Sequence, residues 1–377
     1  VPFPETEENV GMYYANPWPL SEDFYLVSWS NRQLPQHHRV ESEDENPSNA
    51  HGIYLADRFG NLELLYRDPV ISSVTPLPIQ SRSKPPTYSS QSLLTQHGKV
   101  DIGSFAIQDV YQGLPEIPRS TLERLRIIGA VPKVQPTMNT PALGVSREET
   151  GKFILGTVPI DEDGPAHFKI PAGLPVFFQV LDRQGYAVQT MRSLTYVQRG
   201  QTLSCIGCHE PRTMAPPSRS SMAMRREPSL IDIESVGTWP LRFDQLVQPV
   251  LDRNCVECHE SSAKSPEAAK FDLRPTSAWS TLIEYADGDL KNLVFERDAS
   301  VPGFSPARES KLLQYLRTDP THRDLDLAPE DVQRLITWID TYGHTQGAFS
   351  SEQEEDLERF RQQLGEQILT EGKEVIR

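Results

Sequence analysis

Phe153-Ile154-Leu155-Gly156-Thr157-Val158-Pro159, Ala166-His167-Phe168-Lys169-Ile170, Val176-Phe177-Phe178-Gln179-Val180-Leu181 and Ala187-Val188-Gln189-Thr190-Met191 follow one another at short intervals, rich in β-branched and aromatic residues. Between them stand Asp161-Glu162-Asp163-Gly164, Pro171-Ala172-Gly173 and Asp182-Arg183-Gln184-Gly185, clusters that supply the backbone conformations of tight turns. Short strands at this regular spacing predict an antiparallel β-sandwich, placed at residues 76–200. Ser104 to Ile107 and Leu125 to Ile128 supply further strands. The acidic turn Asp161 to Asp163 lacks the EF-hand ligand pattern and reads as a turn rather than a calcium loop.

Downstream, the sandwich runs into Ser204-Cys205-Ile206-Gly207-Cys208-His209-Glu210, echoed by Asn254-Cys255-Val256-Glu257-Cys258-His259-Glu260. Each is C-x-x-C-H, the attachment signature of a c-type haem. Two intervening residues let both sulfurs reach one edge of a porphyrin, and the adjacent histidine lies beneath the iron. Two covalently bound haem c groups are expected, on Cys205, Cys208 and His209 and on Cys255, Cys258 and His259. Zinc also uses paired cysteines, but it requires no trailing histidine in both copies. A thioredoxin-type dithiol needs a βαβ setting that the flanking sequence lacks. All four cysteines of the chain fall in these motifs, so none is left for a disulfide.

The sixth ligands are open. All six methionines precede Cys255, which leaves histidine for the second haem; His322 and His344 are the downstream candidates. For the first haem, His167 is a strand histidine sharing a face with Lys169, suited to solvent or to a haem on the outer face, and His97 is a further candidate. Arg212, Arg219, Arg225 and Arg226, in the irregular stretch Pro211 to Pro228 of the first haem segment (residues 201–235), are available for haem propionates or line a surface loop. Residues 236–350 read as an α-helical, cytochrome c-like domain. Phe243, Leu246, Val247, Val250 and Leu251 form an amphipathic stripe leading into Cys255, interrupted by Pro249. Helices follow at residues 308–316 and 329–341, the latter with Pro329 at its first position and Val332, Leu335, Ile336 and Ile339 on one face. Residues 351–377 open on the capping box Ser351-Glu352-Gln353-Glu354. Their apolar face of Leu357, Phe360, Leu364 and Ile368 predicts a strap on the chain's own domain in preference to a partner helix.

Upstream, residues 1–75 carry two or three strands, including a hairpin of Ile53-Tyr54-Leu55 and Leu62 to Tyr66 about Asp57-Arg58-Phe59-Gly60-Asn61. They read as the last blade of a propeller. His37 and His38 fall in a polar loop, and the prolines between Asp68 and Tyr88 mark a linker or strap. The expected fold is therefore mixed: a β-rich N-terminal and middle part, with a partial propeller blade and a β-sandwich, followed by the helical domain.

A length of 377 residues fits two or three domains, and a net charge of -15 disfavours nucleic acid and anionic membrane as partners. No apolar run reaches the about 20 residues of a membrane span. Covalent haem attachment outside the bacterial cytoplasm makes the expected location periplasmic or extracellular. The opening Val1-Pro2-Phe3-Pro4 carries no leader, so export implies a removed leader or a fragment.

Gly52 to Asn61, Gly156-Thr157-Val158-Pro159, Pro171-Ala172-Gly173, Met191-Arg192-Ser193, Ser204 to Arg212 and Trp338-Ile339-Asp340, in that order, resemble the alpha subunit of hydrazine synthase and its relatives. The resemblance implies a β-propeller of which only the end is present, a middle β domain and a dihaem C-terminal region. It implies a catalytic haem at Cys205 and Cys208, with iron bound by a tyrosine a few residues on, and a bis-histidine electron-transfer haem at His259. The residues after the first motif are Glu210-Pro211-Arg212-Thr213, without a tyrosine, which departs from that chemistry. The expected function is an exported dihaem c-type cytochrome transferring electrons. Its partners are redox proteins, either other cytochrome subunits or copies of itself, in a larger assembly. The alternative is an enzyme acting on a small nitrogen or oxygen compound at an open first haem. A third reading is an interaction module built on propeller and tail.

Overall fold

The computed structural model divides into two units, Val1–Tyr88 and Ser89–Arg377. It describes residues 13–31, 48–81, 100–135, 140–146, 149–208, 222–233, 238–260, 265–295 and 301–371. In the first unit β1 (Tyr13–Pro19), β2 (Phe24–Ser30), β3 (Gly52–Asp57) and β4 (Leu62–Tyr66) form one antiparallel meander in sequence order. Four strands exceed the two or three expected and match the strand count of a propeller blade. The β3–β4 turn forms where the sequence places it: Asp57 accepts the backbone N–H groups of Phe59 and Asn61, and Gly60 takes a positive φ of 93°. The apolar cluster is small, Val27, Tyr54 and Ala56 with Tyr25, Trp29 and Leu62 against them.

The second unit is layered. Its larger sheet has the order β10-β9-β6-β7-β12-β13, with β6 (Leu122–Val131), β7 (Gly151–Pro159), β9 (Val176–Asp182), β10 (Ala187–Thr190), β12 (Ile231–Ile233) and β13 (Leu369–Glu371). The smaller has the order β11-β5-β8, with β5 (Ile102–Ile107), β8 (Ala166–Pro171) and β11 (Thr202–Cys205). Phe105, Phe168 and Phe178 join the two sheets, with ring centroids 5.2–5.9 Å apart. Burial of each such side chain contributes roughly 1.5–3 kcal/mol. Two pairings depart from the expected antiparallel sandwich: β11 runs parallel to β5, and β13 parallel to β12.

Both faces of the larger sheet are covered, which explains its near-continuous apolar strands. Ile127 faces the sandwich core, whereas Ile128, Ile154 and Phe177 pack into a second cluster with the C-terminal helices. The C-terminal helices are α1 (Phe243–Leu246), α2 (Gln248–Asn254), α3 (Pro266–Ala269), α4 (Ala278–Phe295), α5 (Pro306–Glu309), α6 (Lys311–Thr318), α7 (Pro329–Asp340) and α8 (Ser351–Ile368), and all but α3 and α8 contribute residues to that second cluster. Pro249 falls in the first turn of α2, so the expected amphipathic stripe is split in two there. Buried polar groups tie the helical layer to the sheet. Arg126 donates to Gln179 and to Thr337 of α7. Asp340 accepts the backbone N–H groups of Ala187 (2.9 Å) and Ala307 (2.8 Å), and burial raises its pKa to about 6. The apolar stripe of α8, Leu357, Phe360, Leu364 and Ile368, is buried in the sandwich core, with Phe360 against Phe153 and Trp239. The N-cap of α8 is Ser350 rather than Ser351, its side chain accepting from the backbone of Gln353. No helix among the described residues is long and apolar enough to cross a membrane.

Candidate functional site

The first motif begins on a strand. Parallel pairing aligns Ser204 with Ala106 and Cys205 with Ile107, and β8 continues the rows with His167 and Ala166. Cys205 therefore faces the sandwich core with Ile107 and Ala166, and both Cys205 and Cys208 are half-buried against that core. Beyond the strand, the carbonyls of Cys205 and Ile206 accept from Gln108 (2.9 Å) and Asp109 (3.2 Å), laying the motif on the following turn. A Cβ on Gly207 would stand 2.5 Å from Gln112, so glycine is required by close approach. His209, the tetrapeptide Glu210 to Thr213, Arg212, Arg219, His97, His37 and His38 lie outside the described residues.

His167 belongs to the opposite row from Cys205. It is buried beneath the turn of Met222–Arg225, with Nδ1 3.1 Å from the carbonyl of Ala223. The structure does not bring it to Cys205. Arg226 is engaged by Asp161 through both guanidinium nitrogens Nε and Nη2 and donates to Ser229. The Asp161 carboxylate thus serves an ion pair, and Arg226 is not left over for a propionate.

The second motif begins at a helix end. Cys255 closes α2 through its N–H on Leu251, and the chain turns so that the N–H of His259 meets the carbonyl of Cys255 at 3.0 Å. Asp331, in the first turn of α7, is buried and accepts from Arg253 (2.5 Å) and Asn254 (3.1 Å), fixing the residues that lead into the motif. Burial, then Asp331 and Cys258, raises the Cys255 pKa to about 11. In this surrounding the Cys255 sulfur is held as the neutral thiol. Among the described residues, no three His, Cys, Asp or Glu side chains gather as a metal cluster.

Opposite His259 stands His322. Their ring centroids are 5.9 Å apart and their planes 29° from parallel. Two imidazoles on opposite sides of one metal, with metal–nitrogen distances of about 2 Å, have centroids roughly 6 Å apart. Nδ1 of His322 meets Asp319 Oδ2 at 2.7 Å, and that contact is the largest cause holding the Asp319 carboxyl below its usual range. Nδ1 of His259 is buried without a hydrogen bond. Burial lowers the pKa of that ring and His322 adds to the shift, while the backbone of Ala268 and Phe271 opposes it. Phe271, Tyr285 and Tyr315 wall the pair, with centroids of 5.6 Å for His259–Phe271 and 5.0 Å for Tyr315–His322. The residues therefore fit an iron held between two histidines.

His344 is placed elsewhere. It is fully buried, with Nδ1 3.0 Å from the carbonyl of Thr341 and Nε2 3.2 Å from that of Thr150. Burial pushes its pKa down to about 4, with the ammonium of Lys152 adding to the shift. Lys152 is buried too, paired with Glu149 at 2.5 Å and lying over the Tyr342 ring. His344 thus sits at the sheet–helix junction, and of the two candidates it is His322 that the structure brings beside His259. Asp319 and the Phe271, Tyr285 and Tyr315 wall are not among the residues expected from the sequence; the spacing Asp319-x-x-His322 is a signal that could have found the former.

Residues 120–210 match the family model described as hydrazine synthase alpha subunit middle domain, from before β6 through the first motif. The solved structure of Kuenenia stuttgartiensis hydrazine synthase is similar in fold, with a TM-score of 0.55 at 17% identity over 89% of this chain. The chain spans 55% of that solved chain, about half its length. No curated protein matches.

Proposed function

We propose, from the premise that the chain is hydrazine synthase alpha-like through its middle domain, that it is an exported dihaem c-type cytochrome that passes electrons within a larger assembly. The observation that carries this reading is His322 opposite His259, at the spacing of two ligands on one iron. Cys255 and Cys258 would anchor the second haem, and His259 and His322 would fill both axial positions. Cys205 and Cys208 would anchor the first, with His209 adjacent. Haem supplies a one-electron couple whose potential is set by ligands and burial. The protein's part is to fix the rings: α2 and α7 hold the motif, and the turn after α6 holds His322. Held by both His259 and His322, the iron would offer no position to a substrate, which would suit an electron carrier. Partners are redox proteins or further copies of the chain, and the acidic balance suits a basic partner.

A second reading applies to the first haem alone. The matched family region runs through the first motif, and the similar solved protein is named as a synthase. An open iron at Cys205 and Cys208 would act on a small nitrogen or oxygen compound. Carbon monoxide added to the reduced holo-protein separates the readings. Pure electron transfer predicts no carbonyl band. A band that survives removal of Cys255 and Cys258 supports the enzyme reading.

A further inference from the structure

We infer that Asp319 is a positioning residue for the second haem: by holding Nδ1 of His322 it fixes that ring as sixth ligand and sets the reduction potential of the centre. The inference rests on the dihaem reading above. Oδ2 of Asp319 accepts three times, from the backbone N–H of Thr321 at 3.0 Å, from that of His322 at 3.2 Å, and from the His322 ring at 2.7 Å. The two backbone bonds fix the carboxylate, and the carboxylate then fixes the ring. An ionised carboxylate only accepts, so Nδ1 carries the proton and the lone pair of the neutral imidazole falls on Nε2, the ligating edge left free.

Ending α6 does not require this ring contact. The backbone N–H of Asp319 already closes that helix on Tyr315 at 2.9 Å. The remaining freedom of the His322 ring is limited by Tyr315 on one side and by the His259 ring, 5.9 Å away, on the other. A carboxylate behind a ligating histidine raises the basicity of that ligand, and such partners change metal affinity 10–100-fold in general. A more basic axial ligand favours the ferric state and lowers the potential.

The test is a spectroelectrochemical titration of the holo-protein and of Asp319→Asn and Asp319→Glu at equal haem content. Asparagine keeps an oxygen for the backbone bonds and removes the charge; glutamate keeps the charge. Asp319→Asn is expected to shift the second haem at least tenfold toward the reduced form, about 59 mV for one electron. The first haem should stay unmoved, and Asp319→Glu should shift less. An unchanged second potential, an equal shift at both haems, or a glutamate variant shifted as far as the asparagine variant would overturn the inference. If the unaltered protein carries no haem on Cys255 and Cys258, the dihaem reading fails and takes the inference with it. A low-spin second haem indifferent to Asp319→Asn removes the inference alone.

Discussion

The same five-residue signature occurs twice in this chain, once at the end of a strand and once at the end of a helix, and the two settings differ in what they offer an iron. Cys205 ends β11 at the margin of the sandwich, aligned with Ile107 and Ala166. The buried histidine of that sheet, His167, lies on the opposite face. Cys255 ends α2, and the turn after α6 delivers His322 to the ring of His259. On the proposed reading the motif would specify attachment, and the surrounding fold the remaining ligand. That separation explains how one chain could carry an electron-transfer centre and a differently ligated one with identical anchoring chemistry.

Removing the two anchors one pair at a time has the largest expected effect. Cys205→Ala with Cys208→Ala, or Cys255→Ala with Cys258→Ala, should each remove about half of the covalent haem. Denaturing mass spectrometry reads this directly, and loss of both haems from one double substitution would break the independence of the sites. Asp340→Ala strands the buried N–H groups of Ala187 and Ala307. A cost of about 2–5 kcal/mol in chemical denaturation is expected from two orphaned donors. Gly207→Ala drives a methyl group into Gln112 and should cost about 1–3 kcal/mol, with loss of the first haem. Glu257→Ala, the exposed counterpart in the second motif, should change stability by less than about 0.5 kcal/mol.

A further effect is one of pH. The folded pKa of His344, about 4, lies below its unfolded value, so its contribution to stability is present above about pH 6.5 and lost as pH falls toward 4. Asp340, raised to about 6, works in the opposite sense: the folded state gains relative stability as pH falls from 6 toward the unfolded value. The two offset each other in the unaltered chain. In Asp340→Asn the loss between pH 6 and 5 should steepen by about 1 kcal/mol, measured as the denaturation midpoint at each pH. An unchanged slope would remove Asp340 from this balance.

Much of the sandwich was legible because alternation and turn chemistry are local: β7, β8, β9 and β10 begin and end within two residues of where the apolar runs do. The parallel β11–β5 pairing was not, since strand direction in a sheet is decided by a partner about 100 residues away. The edge strands β12 and β13 are three residues each, too short for a periodic signal. Helix α4 escaped because Tyr285, Ala286, Asp287 and Gly288 leave helical geometry in its middle, breaking the apolar repeat. At the site, the two C-x-x-C-H motifs are legible from spacing alone. The choice between His322 and His344 was not: both flank α7, and only the packing shows that one faces His259 while the other is sealed between Thr150 and Thr341.

The central claim, that the fold gives the second motif a histidine from across the iron, is tested most directly by electron paramagnetic resonance of the oxidised holo-protein with and without His322→Ala. The second haem is expected to give a low-spin signal that turns high-spin in the variant, while the first haem keeps its signal and His344→Ala leaves both coordination states as they are. A second haem that stays low-spin without His322 would contradict it.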